Sequence, residues 1–155
     1  MQALPVLKAV EKAIGRKDKK TVKVLMMSPR GVKFDQTFAK KLAAKYTDIV
    51  IISGRYEGID SRVKKILKAE EVSVGDYVLT GGELPALTII DAVARQIPGV
   101  LGTFESLEDE RASSGEMYTR PEVLEYQKKK YKVPAVLLGG NHAAIEAWRL
   151  KQTKS

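Results

Sequence analysis

An α/β domain built on a largely parallel sheet is the fold class this chain predicts, and three observations predict it. Short apolar runs alternate with segments of helical period along most of the sequence. Most of the strand-like runs are followed by a glycine-bearing turn, as at the carboxyl ends of strands in α/β sheets. With 44% hydrophobic residues over 155 positions, the chain can bury a sizeable core, which fits one domain spanning 1–155.

Leu4, Leu7, Val10 and Ile14 recur at spacings of three and four with Pro5 near the first turn, which predicts an amphipathic helix. Val22 to Met27 is a buried-strand pattern, and Phe34, Phe38, Leu42 and Tyr46 at spacings of four mark a second helix. Asp48 to Ser53 is another apolar strand, followed by a helix carrying Ile59, Val63, Ile66 and Leu67. Val74 to Leu79 predicts a short extended stretch. Leu84, Leu87, Ile90 and Ala94 then predict a helix stopped by Pro98, with those residues as its apolar face. From Gly99 to about Lys132 the pattern lapses into a long charged loop with a short helical hint at Pro121 to Tyr126, and loops of that length inside domains are usually functional or disordered. Ala135 to Leu138 is a last strand, and Asn141 caps a final helix holding Ile145 and Trp148.

Composition excludes much chemistry. There is no cysteine, so disulfides, CxxC redox motifs and Cys-ligated zinc are ruled out, and one histidine leaves little for a metal site. No metal site is expected. No apolar run approaches the roughly 20 residues a membrane span needs, and no secretory signal pattern opens the sequence. Net charge is +8 over residues 1–50, −6 over 51–125 and +6 over 126–155, a basic start and end that suit a polyanion. Ordinary solvated lysine explains the same charge equally well.

Four turns stand out: Ser28-Pro29-Arg30-Gly31, Gly54-Arg55-Tyr56-Glu57-Gly58, Thr80-Gly81-Gly82-Glu83 and Gly139-Gly140-Asn141. At the carboxyl ends of parallel strands they would share the sheet edge where α/β folds bind ligands, because glycine admits a ligand to the backbone. Each alone is more often a plain turn. GxGxxG and GxxxxGK[ST] are absent, so the usual phosphate cradles are too. Glycine, hydroxyls and the apolar Met26, Met27, Val74 and Leu79 suit a purine and thioether-like body instead.

At these same residues the sequence resembles a family. MMSPRGVKFDQ, SGRYEGID, VSVGDYVLTGGELPALTIIDAVARQIPGVLG, YTRPEVLEY and LLGGNHAAIEAWRLKQ are similar to motifs of the bacterial tRNA (guanine-N1)-methyltransferases, the TrmD family of the SPOUT superfamily. The resemblance runs from about Ser28 to Gln152. It implies an α/β sheet with helices on both faces and a C-terminal trefoil knot, a rare exception to the rule against threaded chains. It implies methylation of guanine N1 at the guanosine 3′ of the anticodon, with S-adenosyl-L-methionine as cofactor and tRNA as partner. It also implies a cytoplasmic homodimer whose site is shared between subunits. Carried over by motif, the cofactor contacts are Met27, Ser28 and Pro29, then Gly54, Tyr56 and Glu57. Val74, Gly75, Asp76, Tyr77, Val78 and Leu79 follow, with Gly81, Gly82 and Pro85.

Guanine N1 carries a proton at neutral pH, so the reaction needs a base, and a positioned carboxylate contributes about 10²–10⁴-fold. The family's acidic base lies in the loop before YTRP. That loop is shorter here, and an ungapped comparison puts Ser114 at the acid's position, with Glu116 two residues on. Glu116 is the preferred base, since a hydroxyl needs help to act as one. Asp109 and Glu110 are weaker candidates. The family's opening strand and its small C-terminal tRNA-binding domain are expected to lie outside this chain. Two rivals stand beside the catalytic reading: a remnant that binds cofactor and RNA without a usable base, and a SPOUT methyltransferase with another RNA target. Among the remaining residues, His142 is expected to be a surface or capping residue and Trp148 a packing anchor.

Overall fold

The alternation of helices and strands up to Ala94 is present in the computed structural model, with the third strand earlier than expected; the structure describes residues 1–55, 58–100 and 116–152. The order is α1 (Ala3–Ile14), β1 (Val22–Lys33), α2 (Gln36–Lys45), β2 (Asp48–Ile52), α3 (Ser61–Leu67), β3 (Glu70–Ser73) and α4 (Glu83–Ala94). A hairpin of β4 (Val123–Tyr126) and β5 (Lys129–Lys132) follows, then a 3₁₀ turn at Ala135–Leu137 and α5 (His142–Gln152). The chain divides into two compact units, Met1–Val100 and Leu101–Ser155.

In the first unit, three parallel strands run in the order β2-β1-β3, with β1 central. Side chains alternate across a strand, so β1 feeds two cores. Val24 and Met26 join Val6 and Val10 of α1, Ile52 of β2 and Val63 of α3 on one face. Leu25 joins Ala39 and Leu42 of α2, Val72 of β3, and Ile89 and Val93 of α4 on the other. Helices therefore cover both faces of the sheet. Asp35 caps α2 by accepting the Phe38 amide at 2.7 Å, and Asp60 caps α3 by accepting the Arg62 amide at 2.9 Å.

Several expectations are corrected. In α1, Val6 and Val10 are buried whereas Leu4 is exposed, and in α3 Val63 is buried whereas Ile66 faces out. The third strand is Glu70–Ser73, not Val74–Leu79. The Ser73 hydroxyl donates to the Gly75 carbonyl at 2.9 Å and accepts the Gly75 amide at 3.3 Å, a local turn that ends the strand. In α4, the buried residues are Ala86, Ile89 and Val93, while Leu84, Leu87 and Ile90 point outward.

In the second unit, the helical hint at Pro121 to Tyr126 is a β-strand: β4 pairs antiparallel with β5, with Glu125 opposite Lys130. Gln127 and Lys128 form the connection with φ of 50° and 62°, the left-handed geometry of a tight two-residue hairpin. Ala135–Leu137 is a 3₁₀ turn rather than a strand. Pro134 starts it, its carbonyl accepting the Leu137 amide at 2.9 Å. Asn141 caps α5 as expected, accepting the Ala144 amide at 3.2 Å.

Candidate functional site

A cavity of about 350 Å³ lies where the turns after β2 and β3 and the start of α4 meet an excursion of β1. That excursion comes from the pairing register. Met27 and Val32 both pair with Val72, so Ser28–Gly31 are looped out of the ladder as a four-residue bulge, a device that re-aims side chains. The Arg30 amide donates to the Ser28 hydroxyl at 3.3 Å within it. Gly31 closes the bulge against β3 so tightly that a Cβ would lie 2.3 Å from the Val72 nitrogen.

The turn after β2 and the start of α4 are tied to each other. The Gly82 amide donates to the Gly54 carbonyl at 2.9 Å, and the Ser53 hydroxyl donates to the Gly82 carbonyl at 3.0 Å. Arg55 and Gly81 form an isolated antiparallel bridge, and the Arg55 Nε donates to Glu83 at 2.5 Å. That guanidinium holds the Glu83 carboxyl below the usual carboxylate range. A Cβ on Gly82 would meet the Ser53 Cα at 2.9 Å, so this crossing requires glycine.

The cavity brings together Met27, Ser28 and Pro29 from the bulge, Gly54 from the second turn, and Val74, Gly75, Tyr77, Val78 and Leu79 from the third. Gly81, Gly82 and Pro85 complete that set. Asp76 is not part of the lining: its carboxylate is exposed and pairs with Lys33 at 2.7 Å, which raises the lysine's pKa. Tyr56 and Glu57 lie outside the described residues. The lining also includes residues beyond the expected contacts. Glu71, Val72 and Ser73 belong to the third strand, which the apolar pattern sets further along the chain, and Gly58, Ile59 and Thr80 lie within the quoted motifs without being singled out as contacts. Arg30 was in plain view within SPRG.

The lining fits the sulfonium nucleoside that the sequence suggests. It consists of backbone groups exposed by glycine, the hydroxyls of Ser28, Ser73 and Thr80, and apolar side chains such as Met26, Met27, Val74 and Leu79. Its volume falls in the range of small-ligand pockets, about 300–1,000 Å³. Among the described residues, no group of acidic or histidine side chains could hold a metal ion.

The second unit has its own cavity, about 450 Å³, lined by Glu116, Tyr118, Arg120, Leu137, Ile145 and Arg149 among others. The Tyr118 hydroxyl donates to Glu116 Oε2 at 2.5 Å, which raises the phenol's pKa. The Tyr118 ring lies 6.4 Å from that of Trp148, which is half-buried and packs as expected. His142 is exposed at the start of α5. Ser114, Asp109 and Glu110 lie outside the described residues.

The family model for tRNA (guanine-1)-methyltransferase TrmD matches residues 1–155. A tRNA (guanine-N(1)-)-methyltransferase of Dehalococcoides mccartyi strain BAV1 is 46% identical over 153 residues, covering 96% of this chain and 59% of the relative. Proteins of the same name from Mannheimia succiniciproducens and Serratia proteamaculans are each 53% identical, over 136 and 135 residues, covering 85% and 84% of this chain and 51% of each relative. The chain thus spans a little over half the length of these curated relatives. With the match running from its first residue to its last, the chain belongs to the tRNA (guanine-1)-methyltransferase family, TrmD.

Proposed function

We propose that the chain methylates guanine N1 in tRNA, at the guanosine 3′ of the anticodon, using S-adenosyl-L-methionine bound in the cavity of the first unit. The observation that carries this reading is the family match over residues 1–155. The cavity supports it, since its lining is suited to an uncharged purine and a sulfur-bearing chain rather than to a triphosphate. The proposal includes one SPOUT core over 1–155 with its trefoil knot, acting as a cytoplasmic homodimer. The bonds tying Gly82 to Ser53 and Gly54 are consistent with chain segments crossing closely in a knot. The outward leucines of α4 are consistent with a partner surface. Among the described residues, no helix is long and apolar enough to cross a membrane.

When bound, S-adenosylmethionine supplies an electrophilic methyl group. The chain's residues do the rest. Glycine-exposed backbone at Gly54 and at Val74–Leu79 holds the adenine by its polar edge, as Gly81 and Gly82 leave room for the ring. Glu116 accepts the N1 proton of the guanine as that nitrogen becomes nucleophilic, the role that demands a carboxylate. Lysines and arginines contact tRNA phosphates, which makes binding salt-sensitive. The target base leaves its stack to react.

The test is incubation of the chain with labelled S-adenosylmethionine and unmodified tRNA. Label in N1-methylguanosine is expected, with Glu116→Gln lowering turnover about 10²–10⁴-fold and leaving donor affinity unchanged. Donor binding without transfer, indifferent to Glu116→Gln, would establish the non-catalytic remnant. Label on a ribose or another base would establish a different RNA target.

A further inference from the structure

We infer that Arg30 is an anion-recognition residue at the donor cavity, an inference that rests on the donor-pocket reading above. The Ser28–Gly31 bulge places Arg30 among the residues lining that cavity, and its side chain is exposed there. Among the described lining residues, Arg30 and Glu71 are the two that carry charge. Glu71 is already neutralised by Lys64 at 2.5 Å. Among the described residues the Arg30 guanidinium makes no salt bridge with any carboxylate, while its backbone amide donates to the Ser28 hydroxyl. The other nearby cations are engaged: Arg55 with Glu83 and Lys33 with Asp76. Among the described lining residues, Arg30 is therefore the one charged side chain without an oppositely charged partner.

A guanidinium presents planar, paired donors that match a carboxylate or phosphate bidentately, a geometry a lysine does not offer. The bulge costs the sheet four residues of pairing between Met27 and Val32, and Pro29 fixes φ within it beside Arg30. The anion it meets is a carboxylate or a phosphate. Two molecules in the proposed reaction carry one: the methionine end of the donor and the backbone of the RNA.

The experiment compares the full chain with Arg30→Gln and Arg30→Lys. Calorimetry measures affinity for S-adenosylmethionine and for 5′-methylthioadenosine, which keeps the nucleoside and sulfur but lacks the amino-acid carboxylate. Filter binding measures tRNA affinity as a function of salt. If the anion is the donor's carboxylate, Arg30→Gln weakens S-adenosylmethionine about ten-fold and leaves methylthioadenosine unchanged, with Arg30→Lys intermediate. If it is a phosphate, both nucleosides bind as before while tRNA weakens and its salt slope falls by about one. Equal weakening of both nucleosides would overturn the inference, because Arg30 would then be shaping the wall rather than reading a charge. No change in any of the three would overturn it too. Failure of the unsubstituted chain to bind either nucleoside would refute the donor-pocket reading itself, and the inference with it.

Discussion

Gly31→Ala tests the bulge that builds the cavity. An ideal methyl on Gly31 would lie 2.3 Å from the Val72 nitrogen, 2.4 Å from the Glu71 carbonyl carbon and 2.6 Å from its oxygen. All three are backbone atoms of β3, so no side-chain rotation relieves the clash. Restoring an ordinary contact requires β3 to withdraw by about 1 Å. The pairs beyond the bulge, Val32 with Val72 and Lys33 with Ser73, then loosen, along with the 2.8 Å bond from the Phe34 amide to the Ser73 carbonyl. Overpacking costs about 1–3 kcal/mol, and two weakened ladder bonds about 1 kcal/mol each. Together that is about 3–5 kcal/mol, a large share of a typical stability of about 5–15 kcal/mol. At about 3 °C per kcal/mol for a chain of this size, Tm falls by about 9–15 °C. Thermal unfolding followed by circular dichroism measures this, with Gly139→Ala as control because nothing lies within 4 Å of a methyl there. Donor affinity should fall as well, since the bulge carries Ser28–Arg30 into the cavity. A Gly31→Ala melt within about 2 °C of both control and parent would refute the close approach at β3.

On the outward face of α4, Leu87→Glu should convert the proposed homodimer to a monomer, seen as a halved mass by light scattering, since Leu84, Leu87 and Ile90 are 64%, 59% and 53% exposed. Arg55 depresses the Glu83 pKa, so the tie at the start of α4 is intact above the ordinary carboxylate range and is lost as pH falls through the depressed value. Arg55→Met should therefore move the acid limb of donor binding upward in pH, as calorimetry across pH would record. Asp60 is held at about 2 by Arg62, so its contribution is complete above its ordinary value of 3.8 and disappears as pH drops toward about 2. Asp60→Asn, which keeps a cap, should flatten that stretch of the acid-unfolding curve. Asp35→Ala should cost about 1 kcal/mol by removing the cap of α2, read from the urea midpoint.

Much of the first unit was legible because its signals are local. Val22–Met27 and Asp48–Ile52 carry strand-like apolar runs, and the helices around them show three- and four-residue apolar spacing. The turns were legible for the same reason, since glycine at a strand's end is a statement about backbone geometry. The second unit resisted because its determinants were atypical. A two-residue hairpin turn is normally marked by Asn-Gly or Asp-Gly, and here Gln127-Lys128 takes up the left-handed geometry without glycine. Ala135–Leu138 carries strand-like residues but follows Pro134, whose carbonyl starts a 3₁₀ turn.

The misjudged face of α4 shows where periodicity stops being informative. ELPALTIIDAVA is apolar almost all round, so two stripes satisfy helical spacing: Leu84, Leu87 and Ile90, or Ala86, Ile89 and Val93. Side-chain size argues for the first stripe as the core, because larger residues bury more area. Close packing argues for the second, because α4 shares its side of the sheet with α2, and Ala86 keeps the bulk of that buried stripe small near the Gly82 crossing. Close packing wins here, and the bulkier stripe is left facing outward. A helix apolar on both stripes has a second surface to satisfy, and a partner subunit is the economical way to cover it. The same residues that misled the reading of the fold are thus the ones on which the proposed dimer depends.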